Sequence, residues 1–186
     1  RINYLKLVED SSESLGSFFN TDKLKGIHTG TVGVAGCLSF NANKLITTGG
    51  GGAILTNNSF IAKKANYLST QAKNDPLFFS HDEIGYNYRL ANINAALGYG
   101  QILKIHDFLN KKKLINKQYN FYFKNIMHIN LLQNPEHSIS NNWLNIVIFQ
   151  KRKKKVINLI IQDLEKKGIQ VRPVWKQNHI QKQFKK

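Results

Sequence analysis

A lysine between two short apolar segments is the first residue of this sequence whose surroundings suggest chemistry. Lys44 follows an apolar run at residues 34–40 and precedes four consecutive glycines at residues 49–52. Ser39 places a hydroxyl ahead of it. An amine, a hydroxyl and a glycine-rich backbone together suit an anionic cofactor that approaches the chain closely. The lysine precedes the glycines, unlike the order in a nucleotide phosphate loop, and a flexible hairpin with an exposed lysine is the alternative.

A carboxylate lies at the end of the first apolar run. Residues 5–8 are predicted to form a strand, and Glu9 and Asp10 follow directly. Acidic side chains at strand ends are typical of sites in α/β proteins. Asp10 could pair with the ring nitrogen of a pyridine cofactor and keep it protonated, whereas a helix cap or a surface charge is the other interpretation.

The apolar pattern predicts the elements that would position these residues. Further strands are expected at residues 34–40, 53–56, 143–149 and from residue 169, and helices at residues 60–69, 92–110, 112–126 and 156–167. Residues 71–87, with Pro76, are expected to form an ordered loop. Gly168 stands where a glycine often ends a helix.

Composition narrows the class of protein. With 186 residues, 41% of them hydrophobic, the chain can form a substantial core, and no segment is apolar enough to span a bilayer. It begins with Arg1 and lacks a signal-peptide pattern, so we expect a fragment of a longer cytosolic protein. The single cysteine, Cys37, has no partners at metal-ligand spacing, so we expect a buried thiol and no zinc site.

The net charge of +16 raises nucleic-acid binding as an alternative function. Much of this charge lies in blocks at residues 111–113 and 151–155. These blocks flank amphipathic segments, where lysines more often form a solvated helix face than contacts to phosphates. We therefore expect a modest attraction for anionic substrates and no binding to nucleic acid.

Four segments, in order along the chain, resemble the DegT/DnrJ/EryC1/StrS family of aminotransferases, which use pyridoxal 5′-phosphate (PLP) and act on nucleotide-linked keto sugars. They are VEDSSESLG at residues 8–16, SFNANKLITTGGGG at 39–52, HDEIGYNYRL at 81–90 and GIQVRPVWK at 168–176. The fourth resembles the branch that makes 4-amino sugars of the legionaminic acid and bacillosamine type. The resemblance covers most of the chain.

The resemblance implies a fold and a domain division. The fold would be α/β, of the aspartate aminotransferase-like fold type I of PLP-dependent transferases. Residues 1–110 would be the C-terminal part of the large PLP-binding domain. Residues 111–186 would begin the small C-terminal α/β domain, and both ends of the parent protein would lie outside this chain.

The resemblance also implies roles for individual residues near the cofactor. Lys44 matches the lysine that binds PLP covalently and moves a proton between the substrate carbon and the cofactor carbon. Asp10 matches the partner of the ring nitrogen. Glu13 occupies a position near the ring hydroxyl, where other members have Gln or His. Ser39 matches the hydroxyl that binds the phosphate.

Further residues are implied to contact the partner subunit or the substrate. Asn87 matches an asparagine that reaches the phosphate in the neighbouring subunit's site, which implies a homodimer with shared active sites. Arg89, Trp175 and His179 are implied to lie on the substrate side of the site. Packing between domains is the alternative for Trp175.

The implied activity is transamination of a nucleotide-linked 4-keto-6-deoxy sugar in the synthesis of amino sugars for bacterial surface glycans. An amino acid, glutamate by family habit, would donate the amine, and the enzyme would be a cytoplasmic homodimer without metal, membrane or nucleic-acid partner. A dehydratase on the same fold has histidine in place of the lysine, so Lys44 argues against that alternative. A non-catalytic or nucleic-acid-binding family member is the other alternative, and the residues matched above give it no support.

One part of the family's site is expected to lie outside this chain. In the family, the second phosphate-binding loop and the aromatic ring that stacks on the pyridine come before the segment that contains Asp10. We therefore expect the 186-residue chain by itself to bind PLP poorly and to be inactive.

Overall fold

The computed structural model describes residues 5–75, 77–150 and 154–184. Residues 1–4, Pro76, the first part of the basic block at residues 151–155, and residues 185 and 186 lie outside the described residues. The chain divides into two compact units. The first comprises residues 1–117 and 133–143, and the second comprises residues 118–132 and 144–186.

Strands and helices alternate irregularly along the described residues. In chain order they are β1 (Val8–Asp10), β2 (Phe18–Phe19), β3 (Ala35–Ser39), β4 (Gly52–Leu55), α1 (Ser59–Ser69), β5 (Lys73–Asp75), β6 (Ser80–His81), α2 (Asn92–Ile102), α3 (Ile105–Phe123), β7 (Ile129–Leu131), β8 (Ser138–Ile139), β9 (Val147–Phe149) and α4 (Lys154–Lys166), followed by two 3-10 helices at Asn178–Ile180 and Lys182–Phe184.

A three-stranded sheet in the order β1-β3-β4 organises the first unit. Strands β1 and β3 run parallel, with Asp10 opposite Cys37, whereas β4 returns antiparallel to β3. The carboxyl ends of two parallel neighbours lie at the same edge of a sheet. The segments that follow Asp10 and Ser39 therefore leave the sheet at one edge. Cys37 is half-buried rather than buried, which corrects the expectation for its thiol.

The predicted strands and helices before residue 92 are largely confirmed. The first strand begins later than predicted, at Val8, so that Asp10 is its last residue. Helix α1 begins where Asn58 accepts hydrogen bonds from the N–H groups of Phe60 and Ile61, as an N-cap asparagine does. The predicted loop at residues 71–87 is wrong in part, because it contains the antiparallel pair β5 and β6.

The helical region after residue 92 breaks earlier than predicted. Helix α2 ends at Ile102 and α3 begins at Ile105, whereas the apolar pattern placed the break near residue 111. The Lys104 N–H donates to the carbonyl of Gln101. This bond spans three residues rather than the four of an α-helix, and it closes the last turn of α2. Because the apolar stripe continues across the break, periodicity alone does not reveal the break.

In the second unit, β7 and β9 form an antiparallel pair and α4 follows. Helix α4 matches the prediction, and its least exposed residues are Ile157, Ile160, Ile161 and Leu164. It ends at Lys166, and Gly168 follows with a φ of +75°, the left-handed conformation that favours glycine. The strand predicted from residue 169 is wrong, and the strand predicted at residues 143–149 shortens to β9.

Few large side chains are fully buried among the described residues. The most buried apolar residues are Ala35, Ile46, Ala72, Leu131 and Trp143. Within the described ranges, no helix has both the length and the hydropathy needed to cross a membrane. Four of the five buried apolar residues belong to the first unit, and two of them, Ile46 and Trp143, lie close to Lys44 in space.

Candidate active site

The end of strand β1 is fixed by the side chain of Glu9. Its carboxylate accepts backbone hydrogen bonds from Gly30 at 2.8 Å, Val32 at 2.8 Å and Gly33 at 2.6 Å. Burial alone would raise the pKa of Glu9, but these three N–H donors and the nearby His28 outweigh it and hold the pKa below its ordinary value. Glu9 therefore anchors a loop and leaves Asp10 as the carboxylate that ends the strand.

Asp10 is exposed at the edge where β1 and β3 end. Its Oδ1 accepts hydrogen bonds from the hydroxyl and the backbone N–H of Ser12. Those bonds, the hydroxyl first, lower the pKa of Asp10 against an opposing effect of burial, and the positive charge of Lys44 lowers it further. The charge of Lys44 therefore reaches Asp10, and Asp10 is held as a carboxylate.

The turn that carries Lys44 is held at both ends. The Lys44 N–H donates to the Asn41 carbonyl at 3.0 Å, and the Thr48 N–H donates to the Phe40 carbonyl at 2.9 Å. Gln101 of α2 accepts from the Thr47 N–H at 3.0 Å and donates to the Thr47 carbonyl at 2.8 Å. Helix α2 therefore fixes the segment that connects β3 to β4.

The amine of Lys44 lies in a pocket at this edge. Its Nζ is 3.1 Å from Oε1 of Glu13 and 4.6 Å from the centroid of the Trp143 ring. The Lys44 side chain is 13% exposed, whereas that of Glu13 is 50% exposed. The pocket is lined by Ser12, Glu13, Leu15, Ser39, Lys44, Leu45, Ile46, Asn141 and Trp143.

Ser39 lies in this pocket, and its hydroxyl is available to donate. The Asn41 N–H donates to Ser39 Oγ at 3.3 Å. The hydroxyl is the acceptor in that bond, so its O–H can still donate to an anionic group. The pocket thus brings together three residues that the sequence analysis singled out, Glu13, Ser39 and Lys44. Asp10 is not among the lining residues, although the charge of Lys44 acts on its carboxylate.

Asn141 and Trp143 belong to the same pocket, and the sequence analysis missed both as site residues. Asn141 is 5% exposed, and its Nδ2 donates to the carbonyls of Glu13 at 2.8 Å and Leu15 at 3.0 Å. The indole N–H of Trp143 donates to the Asn43 carbonyl at 2.7 Å. The only sequence signal was a polar pair before a tryptophan, which gave no indication of a contact about a hundred positions away.

Asn87 and Arg89 lie elsewhere in the first unit. Asn87 is exposed, pairs through its backbone with Thr70 and is not among the residues that line the Lys44 pocket. Arg89 is exposed, and its Nη1 donates to Oδ1 of Asn66 at 3.1 Å. Neither residue is brought to Lys44 within the chain.

Trp175 and His179 belong to the second unit. Trp175 is 62% exposed in a segment without regular secondary structure, and His179 is exposed in the short helix Asn178–Ile180. Within the described ranges, no three His, Cys, Asp or Glu side chains form a group that could hold a metal ion.

The polar side chains of the pocket, together with Asp10 nearby, fit a particular kind of molecule. An amine in Lys44 suits an electrophilic carbon, a carboxylate in Asp10 suits a protonated ring nitrogen, and the Ser39 hydroxyl suits a phosphate. All three groups lie at the edge where the two parallel strands end. This edge is the usual ligand position of an α/β sheet.

Comparison with known proteins agrees with this chemistry. The model of the DegT/DnrJ/EryC1/StrS aminotransferase family matches residues 3–186. The chain is 34% identical to EpsN of Bacillus subtilis (strain 168) over 96% of this chain and 44% of the relative. It is 32% identical to the GDP-perosamine synthase of Escherichia coli O157:H7 over 92% of this chain and 44% of the relative.

A solved structure with a similar fold is Spr1654 from Streptococcus pneumoniae in its PLP-form. The TM-score is 0.79 at 27% sequence identity, covering 89% of this chain and 42% of that one. The chain therefore spans less than half the length of each of these three proteins.

Proposed function

Because the chain belongs to the DegT/DnrJ/EryC1/StrS aminotransferase family, we propose that the protein moves an amine from an amino acid to a sugar. The amine donor is glutamate, and the acceptor is the keto carbon of a nucleotide-linked 4-keto-6-deoxy sugar. The product is an amino sugar for bacterial surface glycans. The GDP-perosamine synthase among the relatives supports a nucleotide-linked substrate.

One observation carries this proposal. Lys44 holds a mostly buried amine at the carboxyl ends of two parallel strands, where its charge acts on the carboxylate of Asp10. We propose PLP as the cofactor that this pair binds. When bound, PLP supplies an aldehyde that reacts with amines and a protonated ring that accepts electrons from the adjacent carbon.

Each pocket residue has a distinct task under this proposal. Lys44 binds the cofactor covalently and, when free, takes a proton from one carbon and returns it to the other. Asp10 holds a proton on the ring nitrogen, and its lowered pKa keeps it charged for that purpose. Glu13 would face the ring hydroxyl, and Ser39 would donate its O–H to the phosphate.

The proposal extends to the remaining predicted residues and partners. Asn87 is exposed, as a residue that reaches into a neighbouring subunit's site must be, so we propose a homodimer with shared sites. Arg89, Trp175 and His179 are proposed to contact the substrate. The domain division at residues 110 and 111 and a cytoplasmic location complete the proposal.

Trapping by borohydride tests the proposal. The whole protein that carries this chain is incubated with PLP, reduced with borohydride, digested and mapped by mass spectrometry. The adduct is expected on Lys44, and Lys44→Ala should lower its yield about twentyfold or more. Lys64→Ala is the matched control, because Lys64 also contacts a carboxylate and an aromatic ring. An adduct that survives Lys44→Ala would show that another amine binds the cofactor.

A further inference from the structure

We propose that Trp143 is a positioning residue that holds the Lys44 amine in place against Glu13. The centroid of the Trp143 ring lies 4.6 Å from Nζ of Lys44. The same Nζ lies 3.1 Å from Oε1 of Glu13. The proposal rests on the proposed function only in taking Lys44 as the amine that binds the cofactor. The contact itself is a property of the chain.

Trp143 is fixed from three directions. Its indole N–H donates to the carbonyl of Asn43, the residue next to Lys44, at 2.7 Å. Its backbone N–H donates to Oδ1 of Asn141 at 2.9 Å, and its carbonyl accepts from Nζ of Lys112 at 3.0 Å. Only 9% of the residue is exposed. The ring is therefore anchored independently of its contact with the amine.

The anchored ring limits the freedom of a long side chain. A lysine side chain has many rotamers, so ordering it costs more conformational entropy than ordering most other side chains. Glu13 is half exposed, so its ion pair alone constrains the amine weakly. The face of Trp143 adds an attraction for the ammonium and covers one side of it. A Lys44 side chain that is already ordered in the folded protein does not lose this rotamer entropy during the reaction.

The same short segment also fixes the position of Glu13. Asn141 donates to the carbonyls of Glu13 and Leu15, and its own N–H donates to Oγ of Ser17 at 3.0 Å. Residues 141–143 therefore join the loop that carries Glu13 to the turn that carries Lys44. Trp143 is the member of this segment that touches the amine.

Labelling of lysines without cofactor tests the positioning role. The whole protein that carries this chain, free of PLP, is treated with an amine-acylating N-hydroxysuccinimide ester. The labelling rate of each lysine is measured by peptide mapping. Trp143→Leu removes the ring and should raise the rate at Lys44 about fivefold or more. Trp143→Phe keeps a ring but loses the bond to Asn43, so we expect a smaller rise of about two- to fivefold.

Two controls separate positioning from a general loss of structure. Lys112 donates to the backbone carbonyl of Trp143, which both variants keep, so its labelling should stay unchanged in both. Tyr67→Leu removes the ring beside Lys64 and should change labelling at Lys64 but not at Lys44. Equal rises at Lys44 and Lys112 would overturn the proposal, because they would indicate that the whole segment had loosened.

Each variant gives a decisive result. A Trp143→Leu variant that unfolds cooperatively but labels at Lys44 within about twofold of the original overturns the proposal. If Trp143→Leu does not fold, Trp143→Phe decides, and an unchanged rate at Lys44 overturns it. The proposed function fails separately: a Lys44 amine that Trp143 protects but that PLP and borohydride never label refutes the function and leaves the positioning role standing.

Discussion

Lys44 and Lys64 make the same kinds of contact in two different regions of the first unit. Lys44 pairs with Glu13 and lies 4.6 Å from the ring of Trp143, and Lys64 pairs with Glu83 and lies 5.2 Å from the ring of Tyr67. The Lys44 side chain is 13% exposed and that of Lys64 is 38% exposed.

The difference between these lysines lies in what holds their neighbours. Lys44 follows a strand whose parallel partner ends in Asp10, and hydrogen bonds from the buried Asn141 fix the loop beside it. Lys64 lies on helix α1, and its partner Glu83 is about as exposed as Glu13. An ion pair and an aromatic ring are therefore common to both lysines, and what distinguishes Lys44 is its fixed position after a strand end.

Replacement of each lysine by arginine should separate the two regions most clearly. Arginine keeps the charge and the aromatic contact, but it cannot lose its proton near neutral pH. Lys44→Arg should lower the rate of amine transfer in the whole protein roughly a thousandfold. Lys64→Arg should leave the rate within about twofold. Steady-state kinetics with the keto sugar measure both, and similar losses would break the comparison.

Replacement of the asparagines that support each region should affect stability next most. Asn141→Asp places a carboxylate against two carbonyl oxygens in a residue that is 5% exposed. We expect it to lower the free energy of unfolding by about 2 to 3 kcal/mol. Asn66→Asp still offers Arg89 an acceptor at an exposed position and should cost less than about 0.5 kcal/mol. Urea unfolding measures both, and equal losses would contradict the expectation.

The carboxylate of Glu9, which anchors the loop at residues 30–33, should make the free energy of unfolding depend on pH. The folded-state pKa of Glu9 is lowered, so its stabilisation is complete above the ordinary value of 4.5 and is lost as the pH falls through the lowered value. Glu9→Gln should cost about 1 to 2 kcal/mol at neutral pH, because the three backbone N–H groups lose a charged acceptor. The loss should shrink at about pH 3. Urea unfolding at both pH values checks this, and an unchanged difference would refute it.

The two ion pairs themselves should give the smallest effect. The carboxylates of Glu13 and Glu83 are 50% and 48% exposed. Water screens such pairs, so Glu13→Gln and Glu83→Gln should each change the free energy of unfolding by less than about 1 kcal/mol. Thermal unfolding at low and high salt measures this. A loss at Glu13 several times larger than at Glu83 would show that the ion pair, and not the position, distinguishes Lys44.

Much of the site could be predicted from sequence because it depends on local features. Asp10 ends a strand, Lys44 follows one, and Ser39 and Glu13 lie within a few positions of them along the chain. The parallel pairing of β1 with β3 then brings both segments to one edge. Strand ends and turn residues carry clear local signals.

The rest depends on contacts that no local pattern encodes. Trp143 bonds to Asn43 across 100 positions, and its apolar surroundings in sequence predicted a strand instead. The break between α2 and α3 at residues 103–104 lies inside a continuous apolar stripe. The branched residues from Ile169 favour a strand by type but gain no pairing partner among the described residues.

The bonds from Asn141 to the loop at residues 13–17 have a consequence for synthesis on the ribosome. They join positions 124 to 128 residues apart. Trp143 must therefore be translated and leave the ribosomal exit tunnel before its ring can cover Lys44. Lys44 has by then emerged about a hundred residues earlier. Closure over such a distance is slow compared with local folding. The nascent chain thus carries the Lys44 amine without the Trp143 ring while about a hundred further residues are translated.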